Sequence, residues 1–457
     1  LTHPSLDTLR DALRVVIDPD LHRDIVSLGF VTDLHVADGD VRATISLTTP
    51  ACPAKESLRA QATDALRAVE GVRHVDVRMT ASTRASVDWA GPMEASLGGV
   101  RHLIAIGAGK GGVGKSSTAV LLAAALARMG ARVGLLDADL YGPSLGRLGG
   151  PAGTPNPDGV HIVSLAHHLT PERANVLRGP RVSALLQQLL VSHPWGDLDY
   201  LLIDLPPGTG DVPIGLAQWV PLSGAVLVTT ASGLAVDDTR RAASLFATLS
   251  VPVLGVIETM STFRCGHCDT LHSLFGEDQA SQLAMAIDAP LLGQWPYDPR
   301  MIDAANAGRW PDAVSPEVTR TAAALAARVS TLHHDAAYTL ECAWDALPTS
   351  APPTPVAATA QAAPPRLVGV WREDERTLGL RWSDGAEDLW DVVRLRRTCP
   401  CARCVDEDTG RRTLRREDVA DNVRIEGVAT VGRYALLLRF TDGHDTGRYR
   451  WDRLKQS

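Results

Sequence analysis

Two lysines stand five positions apart in "GAGKGGVGKSS", residues 107–117, of a chain that otherwise uses lysine only at Lys55 and Lys455. Taking these four from 45 basic residues leaves 41 arginines. A position that keeps Lys in such a chain calls for a thin stem and a compact ammonium, which a loop wrapped round a phosphate demands and a planar guanidinium does not suit. The loop follows the strand-like "HLIAI", ends in Gly114-Lys115-Ser116, and opens the Ala/Leu-rich "SSTAVLLAAALARMGA", which closes at Gly130. Strand, Gly-rich turn and helix in this order form a phosphate-binding P-loop. The backbone from Gly109 through Gly111, Gly112, Val113, Gly114, Lys115, Ser116 and Ser117 then faces the phosphates. Lys115 neutralises β/γ oxygens, and the Ser116 hydroxyl ligates Mg²⁺. ATP and Mg²⁺ are the expected ligands.

A second chemistry lies in the cysteines. Cys265-Gly-His267-Cys268 offers two thiolates, half the protein ligands of a tetrahedral metal or a cubane cluster, so a symmetric dimer would supply the rest. A bridging cluster, a bridging zinc and a redox dithiol all suit two thiols at this spacing. His267 between them is given no role. Cys399-Pro-Cys401-Ala-Arg-Cys404, with His444 in "FTDGHDTG", suffices for a closed Cys₃His zinc site. A second cluster or unmetallated thiols are the competing outcomes there. Cys52, in "TTPACP" just before a helix, is expected to have its thiolate favoured by the helix dipole and to help pass or receive a cluster. The competing reading is a half-buried small residue. Cys342 is expected to be structural.

The elements that must position these residues follow from the apolar pattern. "HLIAIGA", "RVGLLDAD", "DYLLIDLPP", "GAVLVTT", "VPVLGVIE" and "PLLGQW" are apolar runs without alternation, separated by helical segments. That is the pattern of an α/β, doubly wound parallel sheet covered on both faces. Residues 1–85 read instead as a small α+β domain: a helix near 4–16, strands at "VTDLHV" and "VRATISL" around the turn "ADGD", a helix near 53–69, and "VRHVDVRM". The expected division continues with the ATPase domain at 98–345, a Pro/Ala linker at 346–365 and a β-rich metal-binding domain at 366–457. The 457 residues give a prior of about three domains. A formal charge of -8 without long runs of one sign argues against nucleic acid or an anionic membrane as main partner. No apolar stretch reaches the ~18 residues of a membrane span. "LTHPSLDTLRDAL" has acidic residues where a signal peptide would not, so the chain reads as cytoplasmic.

"GKGGVGKS" resembles the deviant Walker A loop of the MinD, ParA, arsenite-pump ATPase and nitrogenase iron-protein superfamily. The resemblance assigns Lys115 to its own nucleotide and Lys110 to that of the partner across a homodimer. In "LLDADLYGPS" it leaves Asp137 and Asp139 to orient the attacking water, with Asp139 favoured. In "LLIDLPPGTGD" Asp204 would hold Mg²⁺ through water, and the Gly208 N–H would sense the γ-phosphate. "DADLYGPS", "DLPPGTGD" and "MSTFRCGHCDTLHSLFG" closely resemble the Mrp/ApbC branch, whose members carry and transfer iron-sulfur clusters. "DPDLHRDIVSLGFV" and "TTPACP" resemble the small domain that precedes the ATPase in many members, and the three-block order resembles the plastid high-chlorophyll-fluorescence-type scaffold. "LRRTCPCARCVDE" with "DGHDTGRYRWDRL" resembles the N-terminal domain of γ-butyrobetaine hydroxylase, which binds zinc through this ligand set.

Together these resemblances imply a homodimeric, ATP-binding carrier of [4Fe-4S] clusters with slow, regulatory hydrolysis, acting between cluster donors and apo iron-sulfur proteins. The alternatives are a MinD/ParA-like positioning or partitioning ATPase and a zinc-bridged interaction scaffold. Two departures stand out. Glu258-Thr259-Met260-Ser261 replaces Glu-Asn-Met-Ser, whose Asn is the expected adenine contact, which puts base selectivity in question. "TTASGL" at 229–234 lacks the usual Pro-Gln.

Overall fold

The computed structural model describes residues 4–81, 94–140, 142–143, 145, 158–165, 179–249, 251–265, 267–268, 270–299, 303–304, 310–334, 341–351, 367–401, 404–405, 411–431, 435–445 and 447–455. Its contacts divide the chain into two units, 1–334 and 335–457.

The first unit opens with helix α1 (Leu6–Leu13), capped by the Ser5 side chain accepting from the Thr8 N–H. Strands β1 (Val31–Ala37) and β2 (Asp40–Leu47) pair antiparallel, helix α2 (Lys55–Arg67) crosses over, and β3 (His74–Ala81) lies parallel to β2. Alternation along β2 turns Val41, Ala43, Ile45 and Leu47 onto Leu9, Leu13, Leu58 and Leu66. This is the expected α+β fold, but it is joined to the ATPase rather than held apart. After β2 the Thr49 hydroxyl meets the Tyr200 hydroxyl at 2.7 Å, Thr48 meets Ser330 at 2.5 Å, and Ala51 enters the ATPase core.

The ATPase sheet is built from β4 (Val100–Gly107), β5 (Val133–Asp137), β6 (His161–Val163), β7 (Leu198–Asp204), β8 (Gly224–Thr229), β9 (Val253–Glu258) and a further strand, Leu291–Gln294. All neighbours run parallel, with β4 between β8 and β7 at the centre. Strands β5, β7 and β8 are buried at every position, which is why their sequences do not alternate. The helix after β4, α3 (Lys115–Arg128), is buried almost continuously from Thr118 to Leu126. An Ala/Leu helix with apolar residues all round suits that place. Because the strands are parallel, the loops after β4, β5, β7 and β9 all leave from one edge, where ligands of such sheets bind.

The second unit begins earlier than the sequence suggested. Glu341–Ala343, expected within the ATPase domain, pairs antiparallel with Ile425–Val431, and Trp344 and Leu347 enter this unit's core. The expected linker lies outside the described residues from 352 to 366, as does the interdomain stretch 82–93. The unit holds a three-stranded antiparallel sheet (Leu367–Asp374, Thr377–Trp382, Glu387–Asp391) and a four-stranded one completed by Ala435–Phe440 and Gly447–Arg450. Trp371 and Trp382 are among its largest buried side chains.

Candidate functional site

The nucleotide loop is fixed by its glycines. Gly112 and Gly114 hold φ of +84° and +80°, which L side chains rarely adopt. Gly109 lies so close to the helix Gly233–Thr248 that a Cβ would sit 2.1 Å from the Asp238 carbonyl carbon. The two lysines of the loop part company: Lys110 is exposed, whereas Lys115 is 7% exposed, with its Nζ 2.5 Å from Asp204 Oδ1 and 3.3 Å from Ser116 Oγ. Burial pushes the Asp204 carboxyl up, and the Lys115 ammonium opposes it. Its Oδ2 is buried with no hydrogen-bond partner among the described residues. An orphaned carboxylate oxygen beside the Ser116 hydroxyl fits a hydrated Mg²⁺.

Asp137 and Asp139 are separated by environment. Asp137 is fully buried and saturated: its Oδ2 accepts from the Ser164 hydroxyl at 2.8 Å and the Leu145 N–H at 3.1 Å, and its Oδ1 accepts from the Asp139 N–H at 3.2 Å. Burial pushes its carboxyl up to about 6, and the nearby Asp204 charge adds to the shift. Asp139 is half-buried, and its Oδ1 takes the Gly142 N–H at 3.2 Å. Gly208 departs from expectation. Its N–H, assigned to the γ-phosphate, donates to the Ala108 carbonyl at 2.8 Å. In this conformation β7's loop is tied to the P-loop, because a backbone N–H left idle beside a buried carbonyl is costly. Thr259, at the supposed adenine position, donates its hydroxyl to the Val113 carbonyl at 2.6 Å and lies 3.2 Å from the Thr229 carbonyl. It braces the P-loop from behind, a role that its position in the sequence did not suggest.

Six residues beyond Thr259 stands Cys265. It follows β10 (Thr262–Arg264), which pairs antiparallel with β11 (Leu271–Ser273), and its N–H donates to the Thr270 carbonyl at 2.9 Å. Cys268 lies in the intervening turn, exposed, with its carbonyl accepting from the Thr270 hydroxyl at 3.3 Å. Hydrogen bonds from Thr270, first its hydroxyl and then its N–H, with His272 and Cys265, lower the Cys268 thiol to about 6. One donor atom each from Cys265, Cys268 and His272 lies within 4.8 Å of the others. His272 had no place in the sequence reading. Leu271, Leu274 and Phe275 are exposed beside these thiols.

In the second unit the four predicted ligands converge. His444 Nε2 is 3.1 Å from Cys399 Sγ, 3.4 Å from Cys401 Sγ and 3.9 Å from Cys404 Sγ. Cys399 and Cys404 bracket the turn after the helix Val392–Arg397, while His444 rides the hairpin between Ala435–Phe440 and Gly447–Arg450, where its carbonyl accepts from the Phe440 N–H at 2.9 Å. Gly447 makes room: a Cβ there would be 3.2 Å from Cys399 Sγ. Burial and the neighbouring thiols push the Cys399 thiol up to about 12. The Arg396 guanidinium lies 3.6 Å from Cys404 Sγ, but one cation shared with Asp442 does not match three thiols and an imidazole packed this closely, which suit a bound metal.

The profile of NUBPL iron-transfer P-loop NTPases matches residues 99–331. This chain belongs to that family. An iron-sulfur cluster carrier protein of Deinococcus radiodurans is 42% identical over 342 residues, 71% of this chain and 95% of the relative. The chloroplastic Fe-S cluster assembly factor HCF101 of Arabidopsis thaliana is 35% identical over 451 residues, 94% of this chain and 79% of the relative. Residues 6–77 match the iron-sulfur cluster assembly protein profile, and 370–455 the γ-butyrobetaine hydroxylase-like N-terminal one. Among solved structures, a nucleotide-binding protein of Archaeoglobus fulgidus in complex with ADP is 31% identical, covering 50% of this chain and 94% of that one, with a TM-score of 0.41. The family member described here is thus an ATP-binding P-loop NTPase of the iron-sulfur carrier and assembly class. Among the described residues no helix is long and apolar enough to cross a membrane.

Two expectations about single cysteines can be weighed. Cys52 does sit just before α2, but burial, with Asp18 and Asp20 nearby, pushes its thiol up to about 11. The dipole-favoured thiolate is overturned, because desolvation outweighs a helix terminus. Cys342 packs half-buried against the second unit's core.

Proposed function

We propose that this carrier works as a homodimer in which ATP sets the geometry around a [4Fe-4S] cluster carried by Cys265 and Cys268 of both copies. What supports the reading above all is the short path from nucleotide to thiols. The P-loop carbonyl of Val113 holds the Thr259 hydroxyl, and only Met260 to Arg264 separate Thr259 from Cys265. Met260 sits at φ +52°, a backbone setting that is costly for a side chain of its size and is held by its surroundings. A change in the P-loop on binding phosphates therefore has a stiff route to the hairpin.

In this reading Lys115 leaves Asp204 for the β/γ phosphates, freeing the carboxylate to hold Mg²⁺ with Ser116. The bound Mg²⁺ neutralises phosphate charge. The exposed Lys110 reaches the phosphates of the second copy. Asp139 orients the attacking water, while Asp137, fully committed to Ser164 and two N–H groups, shapes the loop that carries it. Gly208 senses γ-phosphate only by giving up Ala108, which makes that bond part of the switch. Hydrolysis is slow and regulatory. The cluster passes from donors to apo iron-sulfur proteins in the cytoplasm, and the apolar Leu271, Leu274 and Phe275 give the second copy or an acceptor something to bury. The Cys₃His site of the second unit holds Zn²⁺ and is structural.

The test is anaerobic reconstitution with iron and sulfide, followed by transfer to an apo acceptor with and without ATP. Nucleotide should change the transfer rate in the parent, and Thr259→Val should keep the cluster yet lose at least about tenfold of that nucleotide effect. A Thr259→Val protein with undiminished nucleotide dependence would refute the route. A cluster held by monomers would refute the shared site.

A further inference from the structure

The hairpin at Thr262–Ser273 carries more than two thiols. In an antiparallel pair, directly opposed residues share a face, and so do residues two apart along a strand. Phe263 opposes His272, and Cys265 lies two residues beyond Phe263, with its N–H bonded to the Thr270 carbonyl. Cys265 and His272 are thus diagonal neighbours on one face, and the turn brings Cys268 over it. The outcome is three metal-ligating atoms within 4.8 Å of one another, all from one chain. A tetrahedral cation with bonds of about 2.0–2.3 Å holds its donors about 3.3–3.8 Å apart, so closure needs movements of roughly 1 Å, in side chains none of which is fully buried. Cys268 and His272 are exposed and Cys265 is half-buried, so a cation can enter from solvent without opening the core.

We propose that His272 is a third ligand of the Cys265–Cys268 site, so that a single chain holds one thiophilic divalent cation, Fe²⁺ or Zn²⁺, at this hairpin without a second copy. Binding takes both sulfurs as thiolates, sends to solvent whichever thiol protons are still in place, uses the imidazole in its neutral form and leaves one coordination position open. The site differs from the Cys₃His cluster of the second unit, which is closed, buried and rich in thiols. It shares its thiols with the proposed bridging cluster but needs no partner, so the two ideas stand or fall separately. Two thiolates and an imidazole with an open position suit a cation that must leave again. A mononuclear ion here would occupy the thiols that a cluster needs, and sulfide or the thiols of a second copy would compete with His272 for it.

Co²⁺ is the probe, because its ligand-field and thiolate charge-transfer bands report coordination number and sulfur ligation. The metal-free full chain is titrated anaerobically, and metals per monomer are counted by native mass spectrometry at concentrations where the protein is monomeric. Two Co²⁺ per monomer are expected, one at each cysteine–histidine cluster. His272→Ala should keep the second-unit ion and ATP binding while weakening the other at least about tenfold. His272→Cys should restore tight binding with an added thiolate band. A parent monomer that takes only one Co²⁺, or a His272→Ala protein whose second ion is as tight as the parent's, overturns the proposal. A second ion found only in dimers overturns it while leaving the bridging cluster intact. Failure to build a cluster with iron and sulfide at concentrations where two copies associate, in a protein whose monomers hold both Co²⁺ ions, sinks the bridging reading instead.

Discussion

At the scale of single residues the two P-loop lysines have different surroundings, and so should have different phenotypes. Lys115→Ala removes the ammonium from a buried pair with Asp204, leaving a buried carboxylate with only the Ser116 hydroxyl beside it. It should lower ATP affinity by about 100-fold or more and destabilise the apo protein by roughly 3–5 kcal/mol. Lys110→Ala touches nothing buried and should spare affinity while abolishing turnover; isothermal calorimetry and phosphate release separate the two effects. The thiols divide in the same way. In metal-free protein, iodoacetamide should modify Cys268 with a midpoint near pH 6, while Cys52, pushed up to about 11, stays unmodified at neutral pH. Peptide mass spectrometry across pH checks both. Asp137 gives a pH dependence of opposite character to that of a paired carboxylate. Its native carboxyl is raised from 3.8 to about 6, so the folded state binds the extra proton, and the stability this adds is full below pH 3.8 and lost as pH rises through 6. Asp137→Asn should flatten that part of the ligand-free unfolding curve in urea.

At the scale of elements, the sequence was legible where burial is uniform and opaque where pairing partners are distant. Six apolar runs became six parallel strands, five of them largely buried and the sixth, Leu291–Gln294, a half-buried edge, and the P-loop could be read because its turn, strand and helix are contiguous. The strand His161–Val163 is too short to announce itself, yet Ser164 just after it supplies a hydrogen bond to Asp137. His272 is invisible until the register Phe263 to His272 is known. The Gly208–Ala108 and Thr259–Val113 bonds could not be foreseen, since each joins loops from different strands at the sheet edge. Gly109 belongs to this scale too. Ala there would drive a methyl into the backbone of the helix Gly233–Thr248, so Gly109→Ala should displace the loop and cost on the order of 2–3 kcal/mol, with loss of nucleotide binding. A thermal melt with and without ATP reads both consequences.

At the scale of the whole molecule, the early start of the second unit changes what should be cut. Trp344 and Leu347 belong to its core, and Glu341–Ala343 completes its larger sheet, so a fragment starting at 366 would lack an edge strand and a buried tryptophan. If the Cys₃His site holds the proposed structural metal, a chelator acting on the full chain should remove on the order of 3 kcal/mol or more from residues 335–457, lowering one calorimetric transition by roughly 10 °C or more and leaving ATP binding by the first unit unchanged. His444→Ala should have the same effect without a chelator.

The scarcity of lysine also equips the protein with a built-in reporter. Of its four lysines, Lys115 is buried, Lys55 and Lys455 are half-buried, and Lys110 alone is exposed. An amine-reactive crosslinker of short span thus meets one open side chain per copy, at the loop that would face the other copy's phosphates. If two copies close over ATP, the Lys110–Lys110 product should dominate the crosslinked peptides with nucleotide and fade without it. The surface arginines that elsewhere replace lysine keep the background low.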